Sequence, residues 1–186
     1  HYKILNRSKK SDSSPVTEAD LALNDLILKE LKSLTPDVPI LSEELFSEES
    51  LKKGQDYFWL IDPLDGTKEF INGSKHFSIN IALINNGSPV LGAISEPAGH
   101  NIYIGSKNKP ARLFKNNSFQ NLKPKIISTE CKVSISKNHS SNQDKSFFKI
   151  LKKEYEEIQI TEKGSSLKFC DLSNGNSDFY PRFGPV

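Results

Sequence analysis

The strongest constraint in this sequence is a junction. The apolar run Tyr57-Phe58-Trp59-Leu60-Ile61 passes without a break into Asp62-Pro63-Leu64-Asp65-Gly66-Thr67. A continuous apolar run of this kind reads as a buried strand. The six residues that end it are turn chemistry. Pro63 fixes φ and stiffens the turn, so Asp62 and Asp65 can be held toward one point at a strand's C-terminal end, where open sheets place ligands. Two like charges held that close repel, and a cation beside them relieves the repulsion. Hard oxygen donors favour Mg2+, which takes few carboxylates and keeps water and substrate phosphate in its other positions. Gly66 lets backbone approach closely. Thr67 falls at the N-cap of a short predicted helix, Lys68–Ile71, whose N–H groups and dipole favour phosphate. Taken alone, the same six residues also read as an ordinary surface turn, because Asp, Pro and Gly are favoured there.

The rest of the chain supplies the surroundings. Ser8–Pro15 is polar and reads as a loop. Thr17 caps a predicted helix in which Ala19, Ala22, Leu23, Leu26, Ile27, Leu31 and Leu34 recur at helical spacing. Thr35-Pro36-Asp37 stops it. Val38–Ser42 is a strand candidate, and the charged, Ser-rich stretch to Gln55 reads as surface. Phe77, Ile79, Ile81 and Leu83 alternate with Ser78, Asn80, Ala82 and Ile84, and Asn85-Asn86-Gly87 turns the chain into a hairpin partner, Val90–Ser95. Tyr103–Gly105 and Arg112–Phe114 read as further antiparallel strands, with Asn116-Asn117 at a turn. Beyond Lys125 the rhythm changes. A strand within Ile126–Ile135, a helix over Asp144–Tyr155 and a strand at Glu157–Ile160 follow. Gly164-Ser165-Ser166 then opens a helix to about Leu172. Two domains are expected, residues 1–125 and a shorter, unfinished 126–186.

Composition removes several classes of function. Lys and Arg number 25 against 23 Asp and Glu, a net charge of +2. That is too little for a nucleic-acid binder driven by counterion release. The apolar runs are a few residues long, whereas a membrane-spanning helix needs roughly 20, so no stable membrane insertion is expected. Cys131 and Cys170 stand alone, without a Cys-x-x-Cys pattern. They read as small buried hydrophobes in a reducing compartment. The chain opens on His1 and contains no Met, so a processed chain or a piece of a longer one is expected.

Two further carboxylate positions bear on the junction. Glu43 and Glu44 follow a strand candidate; they read as a solvated acidic pair or as a third carboxylate completing a two-metal cluster. Asp20 lies in Thr17-x-x-Asp20, a capping-box pattern that explains both residues by itself. The functional alternative makes Asp20 the partner of Thr67 in orienting or deprotonating a water. Asp20 within Pro15-Val16-Thr17-Glu18-Ala19-Asp20, then Glu43-Glu44, then Asp62-Pro63-Leu64-Asp65-Gly66-Thr67 form an ordered set. That set resembles the signature of the lithium-sensitive, magnesium-dependent phosphatases, which include inositol monophosphatase, fructose-1,6-bisphosphatase and the 3'(2'),5'-bisphosphate nucleotidases. Trp59-Leu60-Ile61-Asp62, Gly66-Thr67-Lys68-Glu69-Phe70-Ile71, Gly164-Ser165-Ser166-Leu167-Lys168-Phe169-Cys170 and Tyr180-Pro181-Arg182-Phe183-Gly184-Pro185 resemble the bacterial bisphosphate nucleotidases most.

The resemblance implies an α/β fold, a layered αβαβα sandwich of sugar-phosphatase type with an α+β half and an α/β half, incomplete at both termini. It implies that Glu43, Asp62, Asp65 and the Leu64 carbonyl bind two or three Mg2+ ions, that Li+ inhibits, and that Asp20 and Thr67 activate the attacking water. Lys10 would lie in a neighbouring loop. Asp65, Gly66, Thr67, Ser136, His139, Gly164 and Lys168 would hold the substrate, adenosine 3',5'-bisphosphate, whose 3'-phosphate is removed to give AMP. A Gly-Ser-Ser helix opening also suits a second phosphate on physical grounds. Inositol monophosphatase or sugar bisphosphatase activity is the alternative on the same metal core, and a non-catalytic nucleotide-binding relative is the alternative of another class. A cytoplasmic location is implied, with association at the inner face of the membrane left open, as is the oligomeric state. By the same resemblance a further metal-binding aspartate, in a Trp-Asp-x-Ala-Ala stretch, would follow Val186, and a first helix would precede His1. The 186 residues alone are therefore expected to be a poor catalyst.

Overall fold

The structure is a computed structural model and describes residues 7–9, 15–45, 56–123, 129–136 and 142–183. Its frame is a seven-stranded sheet of β3 (Ile40–Ser42), β4 (Tyr57–Asp65), β5 (Ser78–Asn85), β6 (Ser88–Glu96), β7 (Asn101–Ser106), β8 (Lys109–Lys115) and β9 (Ser118–Asn121), in that spatial order. Only β3 and β4 run parallel; β4 through β9 form an antiparallel meander. Tight turns make the meander possible. Asn86 and Gly87 (φ 48° and 72°), like Asn116 and Asn117 (φ 50° and 58°), lie in the left-handed region that two-residue hairpin turns require. Strand β9 is an addition to the sequence expectation. Ser118–Asn121 is exposed along its length, so no buried face marks it; the turn brings it back against β8, where Phe119 packs on Phe114 and Arg112.

Cross-strand register decides which side chains share a face. Asp62 pairs with Asn80, Asn80 with Ile94, Ile94 with Tyr103, and Tyr103 with Leu113. This row of side chains crosses the sheet on one face. Trp59 and Ile61 point to the opposite face, toward α1 (Glu18–Leu34), where the Trp59 indole N–H donates to Thr35 Oγ1 at 2.9 Å. The inner side of α1 differs from the expected apolar stripe. Asp20 and Asn24 are buried with Leu31, while Leu26 and Leu34 are exposed. The polar pair is tolerated because it is bonded: Ser42 Oγ donates to Asn24 Oδ1 at 2.6 Å. Strand β4 is not buried throughout either, since Tyr57 and Leu60 are exposed. Leu60 faces a groove of about 1310 Å3 beside Ala82, Leu91 and Phe169, whereas Ile61 is covered.

Helix α4 (Leu167–Asn174) lies over the row led by Asp62. Leu167 and Cys170 pack with Tyr103, Ile94 and Leu113. Beyond α4 stand two parallel strands, β10 (Glu130–Ile135) and β11 (Glu157–Glu162), extended by a bridge from Val133 to Phe179. Helix α3 (Asn142–Glu154) closes the far side around Cys131, Val133 and Leu151. The layers are therefore helix, sheet, helix, sheet, helix. Both cysteines are buried, unpaired thiols. Ser8–Pro15, expected as a loop, carries parts of a small antiparallel ribbon, β1 (Arg7–Lys9) on β2 (Pro15–Thr17); backbone pairing of this kind leaves no side-chain periodicity. Among the described residues no helix is long and apolar enough to cross a membrane. The expected domain boundary at 125/126 lies outside the described residues.

Candidate active site

The site grows from the end of β4. Register with β5 shifts between Asp62 and Asp65, so the strand leaves the ladder where Pro63 removes a donor. Leu64 N–H turns back to Asp62 Oδ1 at 3.2 Å. Gly66 follows with φ 91°, and a Cβ there would stand 2.9 Å from the His76 carbonyl oxygen. Only glycine meets both conditions. Gly66, not Thr67, is the N-cap of α2 (Thr67–Ile71), and Thr67 opens the helix as its first residue. That corrects the expected cap: the Thr67 hydroxyl is not spent on the helix end.

The hydroxyl instead lies 3.2 Å from Asp20 Oδ1 and 3.1 Å from the Leu64 carbonyl oxygen, to either of which it can donate. Asp20 is fully buried. Its Oδ2 accepts from the Thr17 backbone N–H at 2.8 Å and from Thr17 Oγ1 at 2.5 Å, and its own N–H donates to Thr17 Oγ1 at 3.4 Å. The capping box and the Thr67 pairing are thus one arrangement. One oxygen of Asp20 anchors the start of α1 and the other meets Thr67.

Beside this pair stand the acids. Glu43 opens a short 3-10 turn, Glu43–Leu45, directly after β3, which brings it to the parallel neighbour of β4. Burial, then the negative charges of Glu43 and Asp65, push the Asp62 carboxyl up to about 7. Burial also raises Asp65, against the Ser166 N–H and the charge of Lys168, which favour its ionised form. Like charges crowded into a half-buried site are the condition a cation relieves. The donors are hard oxygens of the kind Mg2+ takes, so the ion fits the chemistry of Glu43, Asp62, Asp65 and the Leu64 carbonyl. The carboxylates are adjacent in pairs; among the described residues no three His, Cys, Asp or Glu side chains gather round one point.

The second half reaches the acids through the loop before α4. Gly164 packs so closely that a Cβ would lie 2.6 Å from the His76 carbonyl oxygen and 2.9 Å from Glu69 Cγ. Ser166 N–H donates to Asp65 Oδ2 at 2.5 Å, and Ser166 Oγ donates to Asn80 Oδ1 at 2.6 Å. Lys168 is buried, its ammonium donating to the carbonyl oxygens of Ser165 at 2.5 Å and Lys163 at 3.2 Å. Burial lowers its pKa, opposed by nearby Tyr180 and Asp65. The ammonium also lies 5.3 Å from the centre of the Tyr180 ring. The Tyr180 hydroxyl accepts from Arg182 at 3.3 Å. Burial raises the phenol's pKa, but hydrogen bonds with Arg182 and Ser136 outweigh it and leave the phenol below its ordinary value. Lys168, whose charge acts on Asp65, is thus followed outward by Tyr180, and Tyr180 by Arg182 and Ser136. Lys10 and His139 lie outside the described residues.

Sequence reasoning did not place Asn80, Ser78 or Ser166 beside the acids; Ser166 was expected only in a helix opening suited to a second phosphate, whereas its N–H and hydroxyl go to Asp65 and Asn80. A signal was present for two of them: Ser78 and Asn80 are the polar members of a face shared with Ala82 and Ile84, at the end of β5 that meets the acids.

The layered fold and the carboxylate–threonine centre at the end of β4, the strand next to the sheet's edge, are of the kind a phosphatase carries. The chain belongs to the inositol monophosphatase family, whose family model matches residues 2–186. It is 39% identical to the 3'(2'),5'-bisphosphate nucleotidase CysQ of Escherichia coli (strain K12), over 99% of this chain and 72% of that protein. Identity to CysQ of Salmonella typhimurium is 38% with the same coverage. The crystal structure of CysQ from Bacteroides thetaiotaomicron superposes with a TM-score of 0.77 at 30% identity, covering 95% of this chain and 70% of that one. The Thermotoga maritima IMPase gives 0.76 at 28% identity, and the chain spans 66% of its length.

Proposed function

We propose that the protein carrying this chain is a Mg2+-dependent phosphomonoester hydrolase that removes the 3'-phosphate of adenosine 3',5'-bisphosphate, giving AMP and inorganic phosphate. Such a reaction clears a by-product of sulfate activation. The observation that carries the reading is the Asp20–Thr67 pair set beside Glu43, Asp62 and Asp65. The names of the CysQ relatives support the nucleotide as substrate.

Bound Mg2+ would offset charge building on the phosphoryl oxygens and ease deprotonation of water. Glu43, Asp62, Asp65 and the Leu64 carbonyl would hold it. Thr67 Oγ1, with its proton directed at Asp20 Oδ1, presents lone pairs to the attacking water. As the water oxygen bonds to phosphorus, its proton moves to Thr67 and the Thr67 proton to Asp20. The bond from phosphorus to the 3'-oxygen breaks, and that oxygen leaves with a proton from solvent. Three donors from Thr17 and Thr67 keep Asp20 in the orientation this transfer needs. Gly66, Ser136, His139, Gly164 and Lys168 are proposed to position the nucleotide. Lys168 does so by its charge and by holding the Ser165 carbonyl.

Phosphate release from adenosine 3',5'-bisphosphate and from inositol 1-phosphate, measured in parallel with Mg2+ by the gene product that carries these residues, tests the reading. Preference for the nucleotide, abolished by Asp65→Ala and inhibited by Li+, is expected. Preference for the inositol ester favours the alternative that the Thermotoga IMPase resembles. Full activity in Asp65→Ala removes the metal core.

A further inference from the structure

We infer that Asn80 is a positioning residue that couples the acid site to the start of α4 through Ser166, so that Mg2+ binding and the placement of α4 are linked. The inference rests on the proposed carboxylate–Mg2+ reading and extends it to residues that no metal or substrate role covers.

The geometry is a closed circuit. Asn80 is the register partner of Asp62, so the two side chains stand side by side on one face of the sheet. Asn80 Nδ2 donates to Asp62 Oδ2 at 3.4 Å, and Asn80 Oδ1 accepts from Ser166 Oγ at 2.6 Å. Ser166 in turn gives its backbone N–H to Asp65 Oδ2 at 2.5 Å. Ser78, fully buried, stands inside the circuit with its hydroxyl 2.8 Å from Ser166 Oγ and 3.4 Å from Asp65 Oδ2. The amide is the side chain this position requires. An ionised carboxylate only accepts, so the NH2 end faces Asp62, and the carbonyl end is left for the Ser166 hydroxyl. An aspartate here would add a carboxylate to Glu43, Asp62 and Asp65, and an apolar residue would take one hydrogen bond from Asp62 and one from Ser166.

Ser166 therefore touches both acids of the β4 turn, Asp65 directly and Asp62 through one amide. It is also the residue on which α4 begins. Turning either carboxylate toward an ion pulls on the same serine, and moving α4 pulls on both carboxylates. Such a linkage is reciprocal by thermodynamic necessity. Partners that orient metal ligands typically contribute about 10–100-fold to metal affinity. The long Asn80–Asp62 contact places this one at the low end.

The test is calorimetric titration of Mg2+ into the metal-free protein, without substrate, for wild type, Asn80→Ala, Ser166→Ala, the double variant and Asp65→Ala. Amide exchange over residues 165–168 is followed with and without Mg2+. Asn80→Ala and Ser166→Ala are each expected to weaken Mg2+ by about tenfold, and the double variant by little more than either, because one path is cut twice. Mg2+ should slow exchange at the start of α4 in wild type and do so less in Asn80→Ala, where only the direct Ser166 N–H contact with Asp65 remains. Ser166→Thr, which keeps the hydroxyl, should restore wild-type affinity. Wild-type affinity in Asn80→Ala, or single effects that multiply in the double variant, overturns the coupling. If Asn80→Ala does not fold, Ser166→Ala against Ser166→Thr decides it alone. The two readings fail separately. No Mg2+ binding by wild type, or full binding by Asp65→Ala, removes the carboxylate site; binding lost in Asp65→Ala but intact in Asn80→Ala and Ser166→Ala removes only the coupling.

Discussion

Gly164→Ala separates the packing of the two halves from catalysis. The added methyl would sit 2.6 Å from the His76 carbonyl oxygen, 2.9 Å from Glu69 Cγ and 3.1 Å from His76 Cβ. The nearest obstacle is backbone, which cannot swing aside as a side-chain tip can. Overpacking of this kind costs about 1–3 kcal/mol, and a fixed carbonyl puts the cost at about 2–3 kcal/mol. For a chain of this size each kcal/mol moves the midpoint by about 2–4 °C, so Tm should fall by about 4–12 °C. The assay is a thermal melt by circular dichroism in EDTA, without substrate, where neither metal nor nucleotide contributes. Gly105→Ala, whose methyl meets nothing within 4 Å, is the control and should stay within about 0.5 kcal/mol. A Gly164→Ala midpoint within about 1 °C of wild type would refute the argument. It would mean that the loop before α4 is not wedged against α2 and the loop that leads from it to β5, and that the role of Gly164 lies in substrate contact alone.

Thr67→Ala should lower kcat for phosphate release by about 10²–10⁴, whereas Thr67→Ser keeps the hydroxyl and most of the rate; equal losses would exclude proton transfer through Thr67. Ser42→Ala leaves the buried Asn24 carbonyl without its 2.6 Å donor and should cost about 1–3 kcal/mol in a denaturant melt. An unchanged midpoint would show that water replaces the serine. Burial pushes the Cys170 thiol up to about 12, and burial raises Cys131 as well. Neither should react with a thiol reagent at pH 8 until the chain unfolds, so rapid labelling of the native protein would contradict the packing of α4 and β10. Lys168→Ala should raise KM for the bisphosphate more than for a simple phosphomonoester; an equal rise would confine the residue to holding the Ser165 and Lys163 carbonyls.

The extent to which this protein is legible in its sequence follows the range of the interactions involved. Helix α1, the Asn86-Gly87 hairpin and the glycine at position 66 are local matters of capping, left-handed turns and close approach, and the residues declare them. The acids of the β4 turn are equally local, because Asp62 and Asp65 are held by the proline between them. Asp20 read as either a capping residue or a catalytic partner, and sequence had no means of choosing. Burial against Thr67 made the capping contact and the Thr67 contact compatible, since a carboxylate has two oxygens and the fold gives each a different donor. Leu26 and Leu34 followed helical spacing onto what proved an exposed side, because the buried side of α1 is decided by the site it supports and not by apolar count. Ser166 and Asn80, 86 positions apart, are joined by a 2.6 Å hydrogen bond. No pattern within either segment announces it. Local conformational preference thus carried the turn, the cap of α1 and the spacing of the acids from the sequence alone. The joining of the two halves waited on tertiary packing, because a hydrogen bond between distant segments exists only once both backbones are fixed in place.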